Sequence, residues 1–318
     1  MPEGRVIQGV GGFYEVMDLH SGQTIAAVAR GKFKRMGSLY VGDLVRYEMV
    51  TADQGVIEEV FPRRIELLRP TVSNIDRIMI VFALKNPDYN LFLIDRFLLF
   101  AETTGLEILL VFNKRDLVGE AAVKKVAGPY REIGYKVIIT STKTRQGKRL
   151  LLQEIKEGVT VLSGPSGVGK SAIMNMVCPS ITRETGEVSK KIGRGRHTTR
   201  QAKLLSLPNK AGFLVDTPGF TQLDLDFIEP LELAGFFPDF RPYFSACRFP
   251  GCLHKKEPDC SVKDAVSKGQ ILSWRYEHYL TFLEEAERFK RLRTEQKYRG
   301  RKKELKQDER SRSWGLRT

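Results

Sequence analysis

Gly164-Pro-Ser-Gly-Val-Gly-Lys-Ser171 is a glycine-rich turn that ends in Lys-Ser, and the chemistry open to such a turn is the holding of phosphate. Glycines let backbone N–H groups face an α- and a β-phosphate, Lys170 reaches the β- and γ-phosphates, and the Ser171 hydroxyl ligates Mg²⁺. Gly164, Pro165, Ser166, Gly167, Val168, Gly169, Lys170 and Ser171 are therefore candidate ligands. A second run, Asn113-Lys-Arg-Asp116, is suited to reading a base. The Asp116 carboxylate can accept from both N1–H and the 2-amino group of guanine, Asn113 faces the other edge, and Lys114 lays its stem on the ring; adenine offers no matching donors. Ser141-Thr142-Lys143 follows the next apolar run and is placed to support the base from its other side. In a third run, Asp216-Thr-Pro-Gly219, Asp216 can hold Mg²⁺ through water and the Gly219 N–H can bond a γ-phosphate, so this loop would change with hydrolysis.

The residue after Gly219 is Phe220, where Ras-type enzymes carry the glutamine that orients water, so slow hydrolysis by the isolated chain is expected. Between phosphate loop and sensor lies the segment Gly193-Arg-Gly-Arg-His-Thr-Thr-Arg200. Thr198 or Thr199 fills the role of the switch threonine that meets Mg²⁺ and γ-phosphate. His197 either positions the attacking water once the segment is ordered or faces solvent or RNA. With Lys170, these are the candidate catalytic residues.

The elements that must position these groups can be read from apolar runs. LEILLVF precedes Asn113, VTVLSG surrounds Gly164 and AGFLV precedes Asp216, so each motif sits at the end of a strand. From Ile75 onward, strands alternate with helical segments such as LFLIDRFLLFAETT and GEAAVKKVAGPYREI, which predicts a parallel sheet covered by helices. In an ordinary Ras-like GTPase the phosphate loop comes first and the base reader late; here the base reader leads. A rotation of this kind moves only the chain ends and leaves every motif at the carboxyl end of its strand.

Before this domain, RVIQGV, FYEVMD, TIAAVA, DLVRYEM and GVIEEVF read as five short strands, which predicts a small β-barrel of the oligonucleotide/oligosaccharide-binding (OB) type. Its loop Arg30-Gly-Lys-Phe-Lys-Arg35 offers cations and one aromatic to a nucleic acid, or is a charged hairpin loop on a structural barrel. After it, Cys247-x4-Cys252-x-His254-x5-Cys260 gathers three thiolates and one imidazole. That set satisfies tetrahedral zinc and leaves no position open for water, so the metal is expected to be structural. Cys178, apart from the cluster, reads as a small buried hydrophobe. A charged helical stretch from Leu280 leads to Arg299-Gly-Arg-Lys-Lys303, and the last residues are expected to be unfolded or partner-dependent. The expected parts are 1–68, an OB-fold barrel; 69–225, an α/β P-loop GTPase domain with rotated order; 226–280, a zinc-binding domain; and 281–318, a basic helical tail.

The net charge of +14 is uneven: residues 1–70 are neutral, 71–225 carry +9, 226–280 carry −1 and 281–318 carry +6. Several basic runs, including Arg183 to Lys203, favour a polyanionic partner, RNA before others. The most apolar stretch, Leu91 to Phe100, is broken by Asp95 and Arg96, and no cleavable apolar N-terminus is present, so neither signal peptide nor membrane span is expected.

Taken together, the motif order, the Arg-His-Thr-Thr segment, the Phe after Asp-Thr-Pro-Gly and the Cys-x4-Cys-x-His-x5-Cys cluster resemble the RsgA (YjeQ) family of circularly permuted bacterial GTPases. The resemblance implies a cytoplasmic enzyme that hydrolyses GTP to GDP and phosphate with Mg²⁺ and carries one Zn²⁺. It also implies binding to the small ribosomal subunit and its 16S rRNA late in assembly, with hydrolysis stimulated by the subunit. Neither DNA nor membrane is an expected partner, and a monomer is expected. The common family run is His-Thr-Thr-Thr; Arg200 replaces the third threonine here and leaves open which hydroxyl meets magnesium. Two rival readings are a P-loop kinase or ATPase, which Asn113-Lys-Arg-Asp116 argues against, and an RNA-binding assembly protein that holds nucleotide without turnover, which Lys170, Ser171, Thr198/Thr199 and Asp216 argue against.

Overall fold

Strands β1 (Glu3–Val10), β2 (Phe13–Asp18), β3 (Thr24–Ala29), β4 (Leu44–Met49) and β5 (Gln54–Val60) close a barrel in the order β1-β2-β3-β5-β4. The β3–β5 pairing is parallel and the others antiparallel, which is the OB topology. The structure, a computed structural model, describes residues 1–31, 39–68, 71–178, 203–208, 211–216 and 225–314. Alternation along the strands turns Val6, Val16, Ile25, Val45 and Ile57 inward to form the barrel core. Tyr47 shares that core, and its hydroxyl donates to Asp18 Oδ2 at 2.6 Å. The other Asp18 oxygen accepts from the backbone of His20 and Ser21 and from the Ser21 hydroxyl, fixing the turn after β2. Of the expected basic loop, Arg30 is ion-paired with Glu58 at 2.7 Å, and Lys32 to Arg35 lie outside the described residues.

Two short strands that the sequence reading did not anticipate, β6 (Glu66–Leu68) and β7 (Thr71–Ser73), join barrel to sheet. The buried Asp43 carboxylate accepts from Ser73 Oγ at 2.7 Å, Tyr40 N at 2.8 Å and both Nε and Nη2 of Arg63 at 2.8 and 3.0 Å. Gly42 beside it has φ +99°, and a Cβ there would lie 2.2 Å from the Ser73 carbonyl oxygen, so the joint closes only around glycine.

The sheet runs β10-β9-β8-β11-β13-β12, built from β8 (Arg77–Ala83), β9 (Glu107–Asn113), β10 (Lys136–Ile139), β11 (Gly158–Ser163), β12 (Leu204–Ser206) and β13 (Gly212–Asp216). Helices α1 (Leu91–Glu102), α2 (Glu120–Ile133), α3 (Lys148–Glu154) and α4 (Lys170–Val177) alternate with the strands. Met79, Val81, Leu109, Val111, Leu162 and Leu214 pack with Ile173, Met174 and Val177 of α4 into one core. Edge strand β12 is antiparallel to β13, because a connection of a few residues allows a hairpin and no crossover. Cys178 is fully buried beside this core, and burial pushes its thiol up to about 11, in line with an inert hydrophobe.

The chain divides into two compact units, Met1–Gln222 and Leu223–Thr318. In the second, 3₁₀ turns at Leu233–Phe236 and Arg241–Ala246 precede α5 (Ser261–Ser267) and α6 (Ser273–Trp314). The tail is helical as expected, and the helix runs on past Lys303 to Trp314, where unfolded or partner-dependent residues were expected: Lys, Arg, Glu, Leu and Gln are strong helix formers, and Gly300 is the sole breaker within α6. Phe237, Phe240, Tyr276, Tyr279 and Phe282 form the core of this unit, and Arg275 is buried between the Asp239 carboxylate, 2.9 Å from Nε, and the face of Phe237. Among the described residues no helix is long and apolar enough to cross a membrane.

The Tyr47 hydrogen bond holds the Asp18 carboxyl down to about 2, so its contribution to stability is present above the ordinary carboxylate range and lost as pH falls toward that value. Tyr47→Phe should lower the melting temperature at neutral pH, by the equivalent of about 1–2 kcal/mol. The gap from the unsubstituted protein should narrow in melts taken at progressively lower pH below about 4.

Candidate active site

The phosphate loop joins the end of β11 to the start of α4, and its glycines are dictated by neighbours. A Cβ on Gly164 (φ +136°) would lie 2.2 Å from the Val81 carbonyl oxygen, and one on Gly169 (φ +100°) would lie 2.4 Å from Asn113 Nδ2. Gly167 (φ +78°) passes over Pro87. Val168 turns into the sheet core and pins the loop. Lys170 opens α4, and its Nζ rests on the Gly164 and Pro165 carbonyls, each at 2.8 Å. Ser171 follows on the exposed first turn. A ring of backbone curved about a lysine ammonium, at a helix start, with no room for a side chain at Gly164 or Gly169, fits a polyphosphate. The Ser163 hydroxyl at its foot is buried with no hydrogen-bond partner among the described residues.

Asn113 ends β9 and is fully buried. Its Nδ2 donates to the Val168 carbonyl at 3.0 Å, and its Oδ1 accepts from the Thr140 hydroxyl at 3.1 Å. Through these two bonds the side chain fastens the loop 164–171 to strand β9 and the turn after β10. Lys114, in the left-handed region at φ +63°, sends Nζ to the Gly167 carbonyl at 2.7 Å and to the Asn86 carbonyl. Asp116 is exposed, and its Oδ1 accepts from the Ser141 hydroxyl at 2.5 Å. That bond, aided by Lys143 and Lys114, holds the Asp116 carboxyl below its ordinary range, so it is ionised and ready to accept from a base. Between Thr142, Lys143 and Arg145 on one side and Ala172, Asn175 and Met176 on the other lies an open cleft of about 370 Å³.

Thr140 and the Asn86 carbonyl were not singled out from sequence. Thr140 directly precedes Ser141, and Asn86-Pro87 is the turn after β8, so both stood beside visible signals without a motif of their own. Asp216 ends β13, paired with Leu162 of the phosphate-loop strand. His197, Thr198, Thr199, Gly219 and Phe220 lie outside the described residues.

In the second unit, the sulfur atoms of Cys247, Cys252 and Cys260 and a ring nitrogen of His254 lie within 4.8 Å of one another. His254 Nδ1 is 3.3 Å from Cys260 Sγ and 3.6 Å from Cys247 Sγ, and the Cys247 and Cys260 sulfurs are 4.0 Å apart. Tetrahedral zinc with bonds of about 2.0–2.3 Å places its ligand atoms about 3.3–3.8 Å apart; the two imidazole–sulfur distances lie in that range, and the whole set, within 4.8 Å, comes within about 1 Å of it. Burial keeps the His254 imidazole neutral, as a ligand must be, and pushes the Cys252 thiol up to about 12, so metal binding would have to displace that proton. The knuckle is braced from α6: Tyr276 OH donates to the His254 carbonyl at 2.6 Å and Tyr279 OH to the Leu253 carbonyl at 2.7 Å.

A phosphate loop, a base reader fastened to it and a sensor strand, in rotated chain order on one sheet, define a circularly permuted GTPase. Family models agree: residues 60–226 match the RsgA GTPase domain and residues 3–57 the RsgA N-terminal domain. Similar relatives include the small ribosomal subunit biogenesis GTPase RsgA of Alkaliphilus metalliredigens, 41% identical over 92% of this chain and 100% of that protein. The protein of the same description from Clostridium botulinum (strain 657 / Type Ba4) is 40% identical over 89% of this chain and 97% of its own. Among solved structures, the circularly permuted GTPase YloQ superposes with TM-score 0.77 at 35% identity, covering 90% of this chain and 95% of that one. YjeQ from Thermotoga maritima gives the same TM-score and identity and is covered to 98%. The chain belongs to the RsgA family and is a GTPase.

Removing the Asn113 amide leaves the Val168 carbonyl and the Thr140 hydroxyl unpaired inside the sheet. Asn113→Ala should weaken GTP by about 10- to 100-fold, the equivalent of one or two lost buried hydrogen bonds, in a titration with a fluorescent analogue; undiminished affinity would remove the fastening role. In the second unit, chelation should raise hydrogen exchange across 247–260 while Tyr276 to Phe282 stay protected, because the aromatic core holds that part of α6 separately.

Proposed function

We propose that this GTPase binds the small ribosomal subunit through its 16S rRNA, acts late in the subunit's maturation, and leaves it on hydrolysis. The observation that carries the reading is an Asp116 carboxylate held by Ser141 beside a phosphate-type loop fastened by Asn113, in a chain whose full-length relatives are described as small ribosomal subunit biogenesis GTPases. The charge distribution supports RNA as the partner: the excess lies in 71–225 and 281–318, and the latter continues a helix of 42 residues. A partner in the cytoplasm and a monomeric state follow from the same reading. So does a working division into barrel 1–68, GTPase domain 69–225, zinc domain 226–280 and basic tail 281–318.

In the proposed mechanism, Asp116 accepts from the two guanine donors while Lys114 flanks the ring and Ser141-Thr142-Lys143 supports it. The amides of the phosphate loop and Lys170 hold the phosphates. Mg²⁺, when bound through Ser171, Asp216 and Thr198 or Thr199, neutralises charge that develops on the β- and γ-phosphate oxygens. The residues given to nucleotide and Mg²⁺ thus include those at four strand ends, of β9, β10, β11 and β13. Phe220 cannot orient water, so alignment of the nucleophile falls to the segment 193–200, with His197 as the group that positions it when RNA orders that segment. The four protein ligands of the zinc leave no open position, so the metal organises the fold and takes no part in hydrolysis.

Hydrolysis of GTP by the full chain should be slow alone and should rise at least about tenfold with small subunits, an effect of the size that ordering of a catalytic group supplies. No rise with subunits would remove the ribosomal reading and leave the GTPase standing. His197→Ala should lose the stimulated rate and keep GTP affinity; full stimulation in that variant would exclude the histidine.

A further inference from the structure

One charged side chain bridges the barrel and the nucleotide sheet without belonging to either core. Arg5 projects from β1, between Gly4 and Val6, on the barrel's outer side. Its Nη1 donates to the Gly42 carbonyl at 3.4 Å, and its guanidinium lies 5.3 Å from the centroid of the Phe213 ring. Its Nε is buried with no hydrogen-bond partner among the described residues. A buried, unsatisfied donor is costly, and a leucine or methionine could cover the same ring without that cost. Burial disfavours the charge while the Asp76 carboxylate supports it, and the flat fork, laid on a ring with its Nε unsatisfied, is more than packing requires.

What the guanidinium covers is a strand with a functional end. Phe213 is buried as the second residue of β13, paired with Val159 of the phosphate-loop strand and with Ser206 of β12. Three residues further on, β13 ends at Asp216, the first residue of the Asp-Thr-Pro-Gly motif, about 10 Å away along a strand. The edge strand β12 is only three residues long and supports β13 weakly on that side. The barrel supplies the missing support: β1 packs against β12, and Glu15 of β2 pairs with Lys203, the residue before β12, at 3.8 Å. At its other end Arg5 holds the Gly42 carbonyl, in the glycine joint that ties barrel to linker. One side chain thus touches the sensor strand and the joint together.

We propose that Arg5 is a positioning residue that couples the sensor strand to the barrel, so that the nucleotide state at the end of β13 is felt at β1 and the Gly42–Asp43 turn. Coupling of this kind is reciprocal: whatever binds the barrel and fixes β1 must shift the preference between GTP and GDP by the same factor. The contact needs no large motion. A small displacement of Phe213 changes how the cation sits over its ring, and the unsatisfied Nε leaves the guanidinium with a hydrogen bond to gain in a second arrangement.

The test is hydrogen exchange of the full chain with GDP and with a non-hydrolysable GTP analogue plus Mg²⁺, without ribosomal subunits, so it does not depend on the ribosomal reading. Exchange in residues 3–10 and at Gly42–Asp43 should differ between the two states by about twofold or more. In Arg5→Gln that difference should vanish while the difference across residues 203–216 stays. Arg5→Lys, which keeps the charge and loses the planar fork, should recover part of it. Glu15→Lys, at an exposed pair where the fold is not at stake, should shrink it and decides the matter if Arg5→Gln does not fold. Identical exchange of β1 in both states of the unsubstituted protein overturns the proposal. So does a β1 difference that survives in Arg5→Gln, even with a lowered melting temperature, since that marks a packing role alone.

Discussion

The nucleotide site depends on one buried amide. Asn113 joins a strand end, a phosphate loop and a following turn through Val168 and Thr140, groups that are 55 and 27 residues away in sequence. Strand β8 lies between β9 and β11, so the contact reaches across a whole strand. Inside the sheet the bond has no competition from water, which makes its loss costly and its geometry well defined. The glycine at position 169 follows from it, since any side chain there would meet the amide nitrogen. So does the position of Lys114, whose stem must leave the same strand end in the left-handed region to reach Gly167. The Asn113-Lys-Arg-Asp116 run and the loop 164–171 are therefore fastened to one another by side-chain hydrogen bonds.

Rotation of the chain order leaves this body intact and changes what is attached to it. The domain now begins in the middle of its own sheet at β8 and ends at the sensor strand β13. The barrel enters through a linker that is clamped by Asp43, Arg63, Ser73 and Asn74, and its β1 lies against the β12 edge. The short antiparallel β12 would be a poorly protected edge in an isolated domain, and the barrel covers it. In this fold the strand leading to the sensor is thus held by the phosphate-loop strand on one side and backed by a second domain on the other.

The second unit follows a different physical logic. Its knuckle brings the side chains of Cys247, Cys252, His254 and Cys260 within 4.8 Å of one another, a set suited to a metal ion. Two tyrosine hydroxyls of α6 and the Glu257 carboxylate, which accepts from Leu253, Lys255 and Lys256, satisfy the backbone of the knuckle. The aromatic cluster around Phe237 and Tyr279 buries the remainder, with Arg275 kept inside by Asp239 and the face of Phe237. Metal site and aromatic core meet at α6, which continues outward as the basic helix.

The sequence by itself determined the parts whose chemistry is local. A phosphate loop needs glycines at fixed positions because backbone must approach phosphate, and a zinc knuckle needs its four ligands within one short turn, so both are written in spacing. The barrel strands and the alternation of strand and helix were legible for the same reason, since a period of two or of 3.6 is a property of neighbours in the chain. Tertiary structure alone decided the rest. That Asn113 faces a loop carbonyl and that Arg5 lies over Phe213, more than two hundred residues away, depend on which strands become neighbours. The length of α6 was also underestimated, because a charged segment with one glycine carries no apolar period to mark its end. Long-range contacts leave no periodic trace in the chain: their energy comes from burial and desolvation, and these exist only once the sheet has closed.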